Sequence, residues 1–100
     1  MKDDTNTTVE ELKMKIRKFV SEREWEKYHN RKDLAESICI EAAELLQKFQ
    51  WVSGREARQW KHEPSRINSI TEEIADVVIY CLGFVVAMDI DLHRSSVQEA

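Results

Sequence analysis

Four carboxylates stand in two matched pairs: Glu41-x-x-Glu44 and Glu73-x-x-Asp76. On a helix, residues three apart lie about 60° from each other, so each pair presents two carboxylates to one side. Tyr80 follows Asp76 by one turn, and Asp76 carries the only charge between Glu73 and Asp89. A carboxylate placed among apolar neighbours is costly to bury unless a cation or hydrogen bonds offset it. If the two segments pack as antiparallel helices, the pairs can face each other. Four oxygen donors without a histidine or cysteine suit a hard ion, Mg²⁺ or Mn²⁺. A di-iron bundle would use Glu-x-x-His pairs, and the sequence has none. Either pair alone is commonplace. Glu44 and Lys48 make an ordinary (i, i+4) contact, and Glu72 and Glu73 near a helix start could simply complement its dipole. Both pairs together, on successive amphipathic segments, point to a metal site.

The elements that must position these groups read as helices. Thr-x-x-Glu at Thr7 or Thr8 predicts a capped start for a first helix running to about Lys27, with Val9, Leu12, Ile16, Phe19 and Val20 on one stripe. Tyr28 to Lys32 reads as a turn. Asp33-Leu-Ala-Glu36 reads as a second capping box, opening a helix to about Val52 whose apolar stripe is Leu34, Ile38, Ala42, Leu45 and Phe49. Gly54 sits where a C-terminal glycine belongs. Residues 53 to 64 form a polar connection with a short helical turn at Arg55 to Trp60, closed by Pro64. A third helix starts between Ser65 and Thr71 and ends near Met88; being apolar on nearly all sides, it should be the most buried element. Residues 93–100 form a short polar tail with a helix-start signal, Ser95-x-x-Gln98, and too few residues to sustain a helix.

The expected fold class is therefore all-α: one domain over residues 1–100, an antiparallel bundle of three long helices completed by oligomerisation. A chain of 100 residues hides only about two thirds of its unfolded surface, and the third helix has more apolar faces than two neighbours can cover, so a homodimer or homotetramer is expected. Two glycines and one proline leave little room for the turns of an all-β protein. The net charge of −4, with both signs interspersed, gives no basic stripe for nucleic acid. An acidic protein handling a polyanion needs a metal bridge. The N-terminal MKDDTNTTVEE is too polar for a signal peptide. The apolar run Ile74 to Met88 contains Asp76 and is shorter than the ~20 residues a bilayer demands, so no membrane partner is expected. Cys39 and Cys81 lie within apolar helical patterns without ligand spacing and read as buried thiols in a reducing cytoplasm.

Glu22-Arg-Glu-Trp25, Tyr28-His29-Asn30, Ile40-Glu-Ala-Ala-Glu-Leu45, Phe49-Gln-Trp51 and Glu72-Glu-Ile-Ala-Asp-Val-Val-Ile-Tyr80 together resemble the MazG-like nucleotide pyrophosphohydrolases, nearest to the dCTP pyrophosphatase type. The resemblance spans about residues 12 to 92. It implies an all-helical dimer or tetramer that splits nucleoside triphosphates into monophosphate and pyrophosphate, with metal ligands at Glu41, Glu44, Glu73 and Asp76. Many relatives carry a glutamate just before the first ligand, where this chain has Ile40, which leaves the general base open between Glu41 and Glu44. Relatives also continue into an Asn/Lys-rich, Tyr-Pro segment that helps hold phosphates, whereas this sequence ends at Ala100. Phosphate contacts are then expected from metal, from Lys48 or Arg55, or from another subunit.

Trp25, Trp51 and Tyr80 are candidates for a base pocket, because aromatic faces stack on nucleobases; the resemblance favours Trp51 and Tyr80. His29 could contact base or phosphate, and Lys48 could contact phosphate or pair with Glu44. Arg55, Arg58 and Lys61 form a basic cluster whose default is solvated surface. The competing reading is a non-catalytic helical module, for oligomerisation or regulation, that keeps its carboxylates for a structural ion.

Overall fold

The computed structural model of the protein describes residues 2–22 and 31–94. Among these residues four helices make up the framework: α1 (Val9–Glu22), α2 (Arg31–Gln47), α3 (Gly54–Gln59) and α4 (Pro64–Ala87), with a 3₁₀ turn at Trp60–His62 between α3 and α4. No strand occurs among the described residues. The all-α expectation therefore holds; the predicted run of the first helix beyond Glu22 and the first three residues of the turn predicted at Tyr28 to Lys32 lie outside the described residues, while its last two, Arg31 and Lys32, are helical rather than turn.

Helix α1 starts as its sequence predicts. Thr8 Oγ1 accepts the Glu11 N–H at 3.1 Å, and Glu11 Oε1 accepts the Thr8 N–H at 3.3 Å, a reciprocal capping box. Four other boundaries differ from the sequence reading. Helix α2 opens at Arg31, so Asp33 lies in its first turn, where its charge complements the dipole. It closes at Gln47: from Lys48 onward the backbone tightens to i→i+3 bonds, Lys48 to Leu45, Phe49 to Leu46 and Gln50 to Gln47. Gly54 is no C-terminal glycine. Its φ is not positive, and it is the first residue of α3, capped by Ser53, whose side chain accepts the Glu56 N–H. Ser53-Gly-Arg-Glu56 has the Ser-x-x-Glu pattern of a capping box, with the Ser53 hydroxyl donating to Glu56 Oε1 at 3.5 Å. Pro64 does not close the connection but opens α4, the helical position where its missing N–H costs nothing.

Helix α4 is the element the others pack against, with α1 and α2 both lying on it. The register of α2 against α4 follows from three contacts. Arg31 donates to the Ala87 carbonyl at 3.1 Å, Glu41 meets Glu73 and Asp76, and Lys48 donates to Ser69 at 2.8 Å. As residue number rises on one helix it falls on the other, so the two run antiparallel.

The C-terminal end of α4 is closed without glycine. Ile90 N–H bonds back to the Val85 carbonyl and Asp89 N–H to the Val86 carbonyl, a Schellman closure that holds Asp89 at φ 55°. The helix has no basic residue in its last turn. Cations arrive from elsewhere: Lys13 donates to the Ile90 carbonyl at 3.0 Å and Arg31 to that of Ala87, both near the negative pole of the helix.

The buried hydrophobic residues among those described are Leu34, Trp60, Leu82 and Val85. Trp60 stacks on Phe49 with ring centroids 4.7 Å apart, and the Arg66 guanidinium lies 4.5 Å over its ring. The expectation that α4 is the most buried element is met only near its C-terminal end, around Leu82, Gly83 and Val85. Ile67, Ile74 and Val78 remain exposed, as do Ile40, Leu46 and Trp51. Cys39 is also exposed and Cys81 partly so, which corrects the reading of both as buried thiols: each lies in an apolar pattern whose outer side is left uncovered among the described residues.

Candidate metal centre

The antiparallel register of α2 and α4 brings carboxylates from the two helices together. One oxygen each from Glu41, Glu73 and Asp76 lies within 4.8 Å of the others. Glu73 Oε1 is sealed from solvent and has no hydrogen-bond partner. A buried acceptor without a donor is costly, and a cation is the partner that such an oxygen lacks. Glu41 bears the electrostatic strain of the cluster. Sharing a proton with the Glu73 carboxylate, partial loss of solvent and the negative charges of Glu44 and Glu73 raise its pKa from 4.5 to about 7. Crowded carboxylates either take up a proton or bind a cation. The donor set fits a hard divalent ion: oxygen only, drawn from two rigid helices, with one ligand atom already desolvated.

Glu44 stands beside this trio rather than in it. Its side is exposed, and its charge reaches Glu41. Lys48 does not pair with Glu44; its ammonium donates to Ser69 Oγ on α4, because the chain leaves helical geometry at Gln47 and carries Lys48 across towards α4. Tyr80 is half-buried on α4, one turn beyond Asp76. Trp51 is 88% exposed, so within the single chain it packs against little. Trp25 and His29 lie outside the described residues. Arg55, Arg58 and Lys61 are exposed, as solvated surface would be. Ile40 is 57% exposed.

The sequence reading missed Ser69 and Arg66. Both fall on the turns of α4 that precede Glu73, at spacings of four and seven residues, and that spacing was the available signal. It also left Trp60 in a polar connection, although it is a core residue.

A profile described as the MazG-like family matches residues 36–100, a span that contains all four carboxylates. The chain is 29% identical over 92 residues to dCTP pyrophosphatase 1 of Rattus norvegicus, covering 92% of this chain and 54% of that protein. It is 28% identical over 92 residues to dCTP pyrophosphatase 1 of Mus musculus, with the same shares. Against dCTP pyrophosphatase 1 of Homo sapiens the identity is 29% over 85 residues, 85% of this chain and 50% of that protein. The chain thus spans about half the length of the curated relatives it matches.

Proposed function

The chain belongs to the MazG-like family, and from that premise we propose that it is a divalent-cation-dependent nucleotide pyrophosphohydrolase, converting a nucleoside triphosphate and water to the monophosphate and pyrophosphate. One observation carries the reading: Glu41, Glu73 and Asp76 converge within 4.8 Å around a buried, unpartnered Glu73 oxygen, on a sequence of this family. A bound Mg²⁺ or Mn²⁺ would offset phosphate charge and acidify water at this place.

The residues supply position and proton transfer. Glu41, Glu73 and Asp76 would hold the cation from two packed helices, which fixes their separation. Glu44, outside the trio and exposed, is the carboxylate left to orient the attacking water and take its proton. The water oxygen bonds to the α-phosphorus, the bond from that phosphorus to the α,β-bridging oxygen breaks, and its electron pair departs with pyrophosphate. Tyr80, one turn from Asp76, and Trp51, with a wholly open face, offer aromatic surface for the base, as Trp25 and His29 would from the segment between α1 and α2. Lys48 serves the phosphates. The exposed Ile67, Ile74 and Val78 on α4, together with Ile40 and Leu46 on α2, support assembly into a homo-oligomer, since apolar faces of this kind normally find a partner.

The test is release of monophosphate and pyrophosphate from a panel of ribo- and deoxyribonucleoside triphosphates. The relatives' name places dCTP first on that panel. Turnover with Mg²⁺ that stops in EDTA supports the reading; a chain that binds Mg²⁺ yet releases pyrophosphate from no nucleotide is a non-catalytic module instead.

A further inference from the structure

A cavity of about 540 Å³ lies between the end of α2 and the start of α4, lined on α4 as far as Ser69 and Ile70, one turn before Glu73. Its walls carry the cations of Lys48 and Arg66 and the hydroxyls of Ser65 and Ser69, with Trp60 as an apolar floor. One carboxylate, Glu63, faces the same space, so two positive charges oppose one negative.

The groups that line it are held in place. Lys48 is partly buried and already points its ammonium across the cavity to Ser69 Oγ at 2.8 Å. Arg66 is fixed by its guanidinium over the buried Trp60 ring, 4.5 Å from the centroid. The first turn of α4 also opens here. Ile67 N–H to the Glu63 carbonyl is its first bond, and no side chain caps the helix, so the Ser65 and Arg66 N–H groups are available to an acceptor. Two cations, two hydroxyls and free helical N–H groups around one cavity make a receptor for phosphate oxygens.

Its place relative to the trio gives the receptor a role. Ser69 precedes Glu73 by four residues, one turn or about 6 Å of helix axis. A nucleotide whose α-phosphate is over the trio can extend its remaining phosphates along α4 towards Ser69 and Arg66. We propose that this cavity binds the β- and γ-phosphates, the portion that leaves as pyrophosphate. The assignment rests on the pyrophosphohydrolase reading for its role, but not for its chemistry.

The experiment separates the two. Sodium pyrophosphate is titrated calorimetrically into the full chain in EDTA, so that no cation bridge contributes. Binding should weaken about ten-fold or more in Lys48→Met and in Arg66→Met, each checked for native helicity by circular dichroism. Arg58→Met, an equal loss of charge on exposed α3 outside the cavity, should bind as the wild type does. Should either variant fail to fold, Ser69→Ala, which removes only a hydroxyl, should still weaken binding several-fold. Equal affinity in the Lys48, Arg66 and Ser69 variants, or an equal loss in Arg58→Met, overturns the proposal. Pyrophosphate binding that depends on Lys48 in a chain that hydrolyses no nucleotide keeps the receptor and removes the enzyme. Hydrolysis of a nucleotide by a chain whose pyrophosphate binding ignores Lys48 and Arg66 does the reverse.

Discussion

Helix α4 is two helices in its chemistry. Its C-terminal end holds Leu82, Gly83 and Val85, all buried, and is joined through Arg31 to the end of α2 that carries the buried Leu34. Towards its N-terminus it carries Arg66, Ser69, Glu73 and Asp76 and leaves Ile67, Ile74 and Val78 in solvent. The same backbone thus supplies a core at one end and a charged site at the other. The dry half fixes the separation between helices that the wet half needs to bring carboxylates together. Stability and activity should accordingly fail separately when the two halves are altered.

The largest effect belongs to the charged half. Asp76→Asn, or Glu41→Gln, should lower turnover by at least about a hundred-fold, since a hard cation loses a charged ligand, while the far-ultraviolet dichroism stays that of the wild type. Full activity in either variant would remove the site. The core half should behave in the opposite way. Leu82→Ala should cost about 2–5 kcal/mol in urea unfolding, as other buried leucine truncations do, with turnover per folded molecule retained. A Leu82 variant of normal stability but little activity would show that the two halves are not separable.

The smallest effect is that of pH on the metal-free protein, and its sign is informative. Glu41 has its pKa raised from 4.5 to about 7 in the folded chain, so between those values the native state holds a proton that the unfolded state has lost. Stability should therefore fall as pH rises through this window and level off above it. Asp3 and Glu11 have lowered pKa values, from 3.8 and 4.5, and their contributions disappear only below that window. Thermal unfolding in EDTA should give a higher Tm at pH 5 than at pH 8, and Mg²⁺ should recover stability at pH 8. A Tm that climbs from pH 5 to pH 8 in EDTA would mean that the carboxylates do not repel one another in the native state.

What the sequence disclosed depends on how local each feature is. Thr8 and Glu11 cap α1 reciprocally, and both partners lie within three residues, so the start of α1 was legible. The four carboxylates were legible as types and spacing for the same reason. Gly54 was misread because a glycine after an apolar stripe and a glycine behind a capping serine look alike until the backbone shows φ. The end of α2 was misread because apolar spacing continues to Phe49 while the hydrogen bonding changes at Lys48. Trp60 could not be placed from its neighbours in sequence, since Phe49 and Arg66 reach it from different elements. The division of the carboxylates into a trio with Glu44 beside it is set by the register of α2 against α4, a property of packing rather than of spacing.

The central claim is that Glu41, Glu73 and Asp76 together hold one divalent cation, and Mn²⁺ titration followed by electron paramagnetic resonance tests it most directly. The wild type should take up Mn²⁺ that Mg²⁺ displaces, and Asp76→Asn should bind at least about ten-fold more weakly. Equal Mn²⁺ affinity in the wild type and in Asp76→Asn would contradict the account.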